Sequence, residues 1–171
     1  MLPIIRSVSI TAGPSYHARS IPCRVFSRAT TFHVHSLAYD RDYYQGRLGR
    51  HLIGMTWGRE ARTWTFDRLQ RHPVVNDHYA GRSIVVLFDP ETISARIFNR
   101  QLGERELTFR WIGDKILDDQ TGSEWDCLRG KAIAGPLQGQ TLTAEVGIFS
   151  FVKPWREFHP TSEFWKGDGG E

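Results

Sequence analysis

"HPVVNDHYAGRSIVVLFDPET", residues 72–92, gathers two histidines, two aspartates, an asparagine and a glutamate around one apolar run. Within it SIVVLF, residues 83–88, reads as a buried central strand bounded by turn residues. The polar flanks have a structural reading. Pro73 biases His72 towards extended backbone, and Asn76 and Asp77 suit a turn towards Gly81. Asp89-Pro90 with Thr92 forms a second turn, because proline presets φ at its second position. They also have a chemical reading, in which His72 is an acid or base oriented by Asp77 or Asp89. That reading requires side chains from different loops to converge within hydrogen-bond reach.

Outward from this strand the pattern repeats. HLIGMTW (51–57) and ARTWTF (61–66) flank GRE as in a hairpin, and FDRLQRH forms one or two helical turns stopped by Pro73. Downstream, SARIFNR, ELTFRW, KILDD, EWDCLRG, KAIAG and TLTAEV read as further short strands. KPWREFHP predicts a short helix that begins after Lys153 and ends at Pro160. Turns at such close intervals predict a mainly β fold: a single antiparallel-rich meandering sheet, forming a small barrel or sandwich, with one or two short helices.

The 171 residues, 40% of them hydrophobic, suffice for one domain with a real core. The expected organisation is a basic extension over residues 1–49, a β-rich domain over 50–166 and a short flexible tail over 167–171. The first 38 residues hold four arginines, six serines and three prolines and no acid, which reads as a leader outside the fold. Charge follows this division: residues 1–50 carry +5 of a total of +3, so the remainder is net −2. Without clustered cations on the folded part, no nucleic-acid surface is expected. The longest apolar run is far short of the roughly 18 residues that a membrane-spanning helix needs. Cys23 and Cys127 lack the spacing of a disulfide framework or zinc site, and Cys127 is expected to be a small buried hydrophobe.

Three downstream motifs remain. In DQTGSEWD, Gly122 and Ser123 shape a turn and Trp125 buries its ring, while Glu124 and Asp126 alternate onto the opposite, solvated face. GKAIAGPLQGQ lacks the spacing of a phosphate-binding loop, so its glycines are expected to shape a turn or bulge. In WREFHPTSEFW, Trp155 and Phe158 are expected to close an open end of the sheet, with His159 bonded locally.

In order and spacing, EARTWTFDRLQRHPVVNDHYAGRSIVVLFDPET, DQTGSEWDCLRGKAIAGPLQGQTL and FVKPWREFHPTSEFW resemble a bacterial and archaeal family, domain of unknown function 3179. The likeness spans roughly residues 50–166. It implies a β-rich domain, often in exported or membrane-associated proteins, with no established activity. Many relatives place a cysteine-proline turn after the central strand, where this chain has Asp89-Pro90. A carboxylate there offers neither thiolate attack nor a soft metal ligand, so a thiol mechanism would not carry over.

A rival metal site lies upstream, in FHVHSLAYDRDYYQG. His33 and His35 would share one strand face, with Asp40 as a carboxylate ligand, in a faint likeness to the first motif of cupins; the second motif is missing. The expected function is therefore that of a binding or accessory domain. The alternative is a metal-dependent or acid/base hydrolase using His72 with Asp77 or Asp89. The candidate pocket comprises His72, Asn76, Asp77, Asp89, Glu124 and His159. Residue pattern assigns no cofactor, catalytic residue or compartment, and it is compatible with a small-molecule or protein ligand.

Overall fold

The computed structural model describes residues 46–167. After a 3-10 turn at Leu48–Arg50, the chain forms β1 (His51–Trp57) and β2 (Glu60–Thr65), joined by a tight turn in which Gly58 has φ of 61°. Next come α1 (Phe66–Arg71), β3 (Val74–Tyr79), β4 (Arg82–Asp89) and β5 (Ser94–Asn99). A small hairpin, β6 (Gln101–Leu102) with β7 (Arg105–Glu106), precedes β8 (Phe109–Ile112), β9 (Lys115–Asp118), β10 (Glu124–Trp125) and β11 (Ala132–Ala134). β12 (Ile148–Phe151), α2 (Val152–Phe158) and β13 (Glu163–Phe164) complete the described part.

The fold is mainly β with few short helices, as expected, but the strands form separate sheets instead of one meander. Their orders are β12-β1-β2-β13, β3-β4-β5, β11-β10-β9-β8 and the β6-β7 hairpin, and none closes into a barrel. β4 explains the layering. Ile84, Val86 and Phe88 enter one core with Ile53, Trp64 and Phe66. Val85 and Leu87 enter a second core with Phe98, Phe109 and Trp125. A strand buried on both faces needs no polar alternation, which is why SIVVLF is continuous. The β3-β4-β5 sheet is thus a middle layer between the other two larger sheets. On the outer face of β1-β2, Leu52 and Ala61 pack beneath Trp155 of α2. Gly54 makes that approach feasible: a Cβ there would lie 2.3 Å from the Trp155 ring.

Several local expectations give way to longer-range partners. Asn76 and Asp77 lie inside β3, and the turn falls at Ala80 and Gly81, with φ of 50° and 73°. Positive φ at both central positions matches the twist of a two-residue hairpin. TLTAEV forms no strand; isolated bridges, Lys131 to Thr141 and Ala144 to Phe98, and single bonds such as Glu145 N–H to the Ile97 carbonyl at 2.9 Å tie it down. The unforeseen strand β12 follows it. Asp126 does not alternate to solvent but is buried, because β10 ends at Trp125 and the carboxylate accepts from the Leu128 and Arg129 N–H groups at 2.9 and 2.7 Å. Trp155 is buried, but against the outer face of β1-β2 and not at an open end, whereas Phe158 closes nothing and is 79% exposed. α2 begins at Val152, one residue before Lys153.

Candidate functional site

Each of the six candidate polar residues has its own engagement. Asn76 donates from Nδ2 to the Phe109 carbonyl at 2.8 Å and accepts the Phe109 N–H at 2.9 Å. Its amide thereby imitates a strand partner and joins β3 to β8. Asp77 receives the Arg62 guanidinium through Nε and Nη2 at 3.1 and 3.3 Å and the Trp64 indole N–H at 3.2 Å. This couples β2 to β3, while the same arginine reaches Glu163 at 2.8 Å. Asp89 is buried within its own turn, accepting the Glu91 N–H at 2.9 Å and the Thr92 hydroxyl at 2.8 Å. Glu124 pairs with Lys115 at 2.7 Å.

The histidines end helices. His72 terminates α1, its N–H bonded to the Arg68 carbonyl and its exposed ring set edge-on to Trp165 at 5.6 Å. His159 terminates α2 in the same way, bonded to the Trp155 carbonyl with its ring 4.3 Å from the indole. Among the described residues no hydrogen bond or ion pair joins His72 to Asp77 or Asp89. Nor does any trio of histidine, cysteine, aspartate or glutamate there have metal-binding geometry. His33, His35 and Asp40 lie outside the described residues.

Asp118 and Arg100, which carry no role in the sequence reading, hold much of the polar architecture. Asp118, 1% exposed, accepts from the Thr121 N–H at 2.6 Å, the Thr121 hydroxyl at 2.9 Å, the Ser123 N–H at 3.2 Å and the Trp125 indole at 2.9 Å. Buried Ser123 then accepts the Leu137 N–H at 2.9 Å, pinning the GPLQGQ turn to the TGS turn. A carboxylate three residues before a threonine was the available signal, since that spacing suits an Asx-type turn. Arg100, 3% exposed, donates to the Ile84 and Leu107 carbonyls at 2.9 and 2.7 Å and pairs with Glu106 at 2.9 Å. Its placement in a turn-like NRQLGE segment carries no signal of burial.

Glu106 also lies 3.3 Å from His78. A hydrogen bond from the Ser83 side chain, then the Arg100 and His78 charges, hold its carboxyl below the ordinary value of 4.5. A depressed carboxylate contributes stability above its unfolded value and loses it as pH falls through the folded one. In thermal melts, Glu106→Gln should therefore sit below the parent by a constant few degrees at neutral pH, a gap that closes below pH 4.5. The effect is small because the Glu106 side chain is 44% exposed. A gap that persists unchanged as pH falls through both the unfolded and the folded carboxyl values would contradict this account.

The open concavity lies elsewhere. A groove of about 610 Å3 runs beside β12, floored by Phe66, Phe149 and Phe151 and walled by Ile93 and Arg96. Phe149 and Phe151 remain 48% and 57% exposed. Phe66 meets Phe149 edge-on at 5.7 Å, and His51 lies 4.8 Å from Phe151. A second groove of about 800 Å3 shares Phe151 and Pro154 with the first, and is lined by Arg50, Lys153, Arg156 and Glu157. None of the six polar candidates lines either groove. Asp89 contributes indirectly: its turn delivers Ile93 at φ of 51°, a strained conformation for a β-branched residue.

No helix among the described residues is long and apolar enough to cross a membrane. No curated protein and no solved structure matches the chain. A family model does, and its match reaches further towards the N-terminus than the motifs quoted above. Two of the motifs that carry the resemblance, TGSEWD and GPLQGQ, form turns braced here by Asp118 and Ser123. With residues 33–170 matched, the chain belongs to the family described as Protein of unknown function (DUF3179).

Proposed function

We propose that this domain binds a ligand instead of turning one over, and that the working surface is the aromatic groove beside β12. The supporting observation is a division of labour. The candidate acids, bases and amides are separately spent on turns, helix ends and links between sheets. The exposed aromatic side chains of β12 line open space. Concave, mainly apolar sites of this size commonly hold small molecules. An acid/base hydrolase would instead need His72 close to Asp77 or Asp89 beside a substrate cleft. Residues about 50–166 would form the working unit, with the basic segment as an extension.

Titration of the full-length chain with Nile red, a neutral apolar dye, tests this. Saturable binding with a blue-shifted emission is expected, weakened at least fivefold in Phe149→Ser/Phe151→Ser and unchanged in His72→Ala. Both variants should melt close to the parent, because their side chains are exposed. Absence of saturable binding, or equal affinity in the double variant, would overturn the proposal.

A further inference from the structure

Resting on that groove as the binding surface, we infer that its ligand is an amphiphilic anion, a monomeric long-chain carboxylate, with its chain on the aromatic floor and its head among the neighbouring cations. The two grooves share Phe151 and Pro154, are both mostly apolar, and differ in the charged residues at their edges. The first is mostly apolar, with Phe66, Ile93, Phe149, Phe151 and Pro154 around the single arginine Arg96. The second carries Arg50, Lys153 and Arg156 against one acid, Glu157. The common wall of Phe151 and Pro154 joins the aromatic trough to a groove edged by three cations.

The cations are not spent on internal partners in equal measure. Arg156 lies over the Phe164 ring at 4.8 Å. Arg50 and Lys153, both exposed, make no ion pair with any described residue. Most other guanidinium groups on the β2-β5 side have carboxylate partners, such as Arg62 with Asp77 and Arg82 with Glu145. A positive head site therefore opens onto an apolar trough. The strained Ile93 on the opposite wall fits the same picture, because backbone strain gathers at ligand clamps.

The matching ligand has a single negative head and an unbranched apolar tail. A cationic amphiphile would meet like charge, and a short carboxylate would leave the trough unfilled. Displacement of Nile red by octanoate, decanoate and decyltrimethylammonium, each below its micelle concentration, separates these cases. Affinity should rise up to about fourfold for each added methylene. Decanoate should bind at least tenfold more tightly than the cationic ligand. In Arg50→Gln/Lys153→Gln, decanoate should weaken about fivefold at low salt, in line with loss of exposed charge pairs, while Nile red affinity stays unchanged.

Equal binding of the cationic and anionic ligands, no gain with chain length, or an unaltered decanoate affinity in the double variant would refute the inference. Nile red binding would then still uphold the groove itself; its loss would remove both. Two further results would also refute it. One is binding to phosphatidylglycerol vesicles without binding to monomeric decanoate, which points to a lipid surface. The other is a dimer in sedimentation that Phe151→Ser abolishes, which makes the groove an interface between copies.

Discussion

Asp118→Ala is expected to lower unfolding stability by about 3–5 kcal/mol, the range for stranding buried charged or strongly bonded partners. For a domain of this size the melting temperature should fall by roughly 10–20 °C. The cost comes from the groups left behind. The Thr121 and Ser123 N–H groups and the Trp125 indole would lose their shared acceptor, the latter two in buried surroundings. The Thr121 hydroxyl, 2.7 Å from the Ser123 hydroxyl, would also lose its fixed orientation. Asp118→Asn preserves shape but presents an amide N–H2 towards donors, so it should recover little of the loss. Urea unfolding of the three proteins decides the matter. A loss under about 1 kcal/mol for Asp118→Ala, the level of an ordinary surface change, would show that the turn stands without its carboxylate.

How this carboxylate escaped notice shows where sequence reading reaches its limit. A strand buried on both sides announces itself through uninterrupted apolar residues, as SIVVLF does, and the β1-β2 hairpin is legible from the GRE turn with Gly58. These signals are local, because a strand's faces are written in consecutive residues. Partner identity is not local. TLTAEV alternates like a strand but finds only single bridges, since the β5 edge accepts it through scattered contacts such as Asn99 N–H to the Thr143 carbonyl at 2.9 Å. Conversely, IFSF pairs along β1 while keeping two phenylalanines half exposed, a pattern that composition alone does not flag as a sheet edge.

The candidate site was legible in part. Asp89 was read as a turn former and is one, and His159 bonds locally as expected. Asn76 and Asp77 were assigned to the wrong scale of structure, since their partners lie across sheet boundaries at Phe109 and Arg62. Arg100 was invisible because a guanidinium in a polar loop ordinarily faces water, and only the arrival of the Ile84 and Leu107 carbonyls makes burial tolerable. The groove could not be read beforehand either. Its lining comes from β1, α1, the β4-β5 turn, β5, β12 and α2, segments far apart in the chain, from His51 to Pro154.

Asn76→Asp should separate a sheet-linking amide from a chemically active one, because the substitution preserves shape and alters only hydrogen-bond polarity. At pH 7 the new carboxylate can still accept the Phe109 N–H but sets a negative oxygen against the Phe109 carbonyl, now 2.8 Å from a donor. One bond is lost, a buried carbonyl is unpaired and a repulsion is added, for a total of about 2–4 kcal/mol. The repulsion disfavours ionisation, so the introduced carboxyl has a folded pKa above the usual aspartate value of about 3.9. The sign then follows. With the folded value raised, the protonated form donates to the carbonyl, and its contribution is fully present below the unfolded value and lost as pH rises through the folded one. Measured against the parent at each pH, the deficit should be largest near neutrality and shrink steadily on acidification, whereas Asn76→Ala should show a deficit independent of pH. If Asn76→Asp tracks Asn76→Ala at every pH, the amide does not bridge β3 and β8 as described, and the middle layer must be held to the third sheet by apolar packing alone.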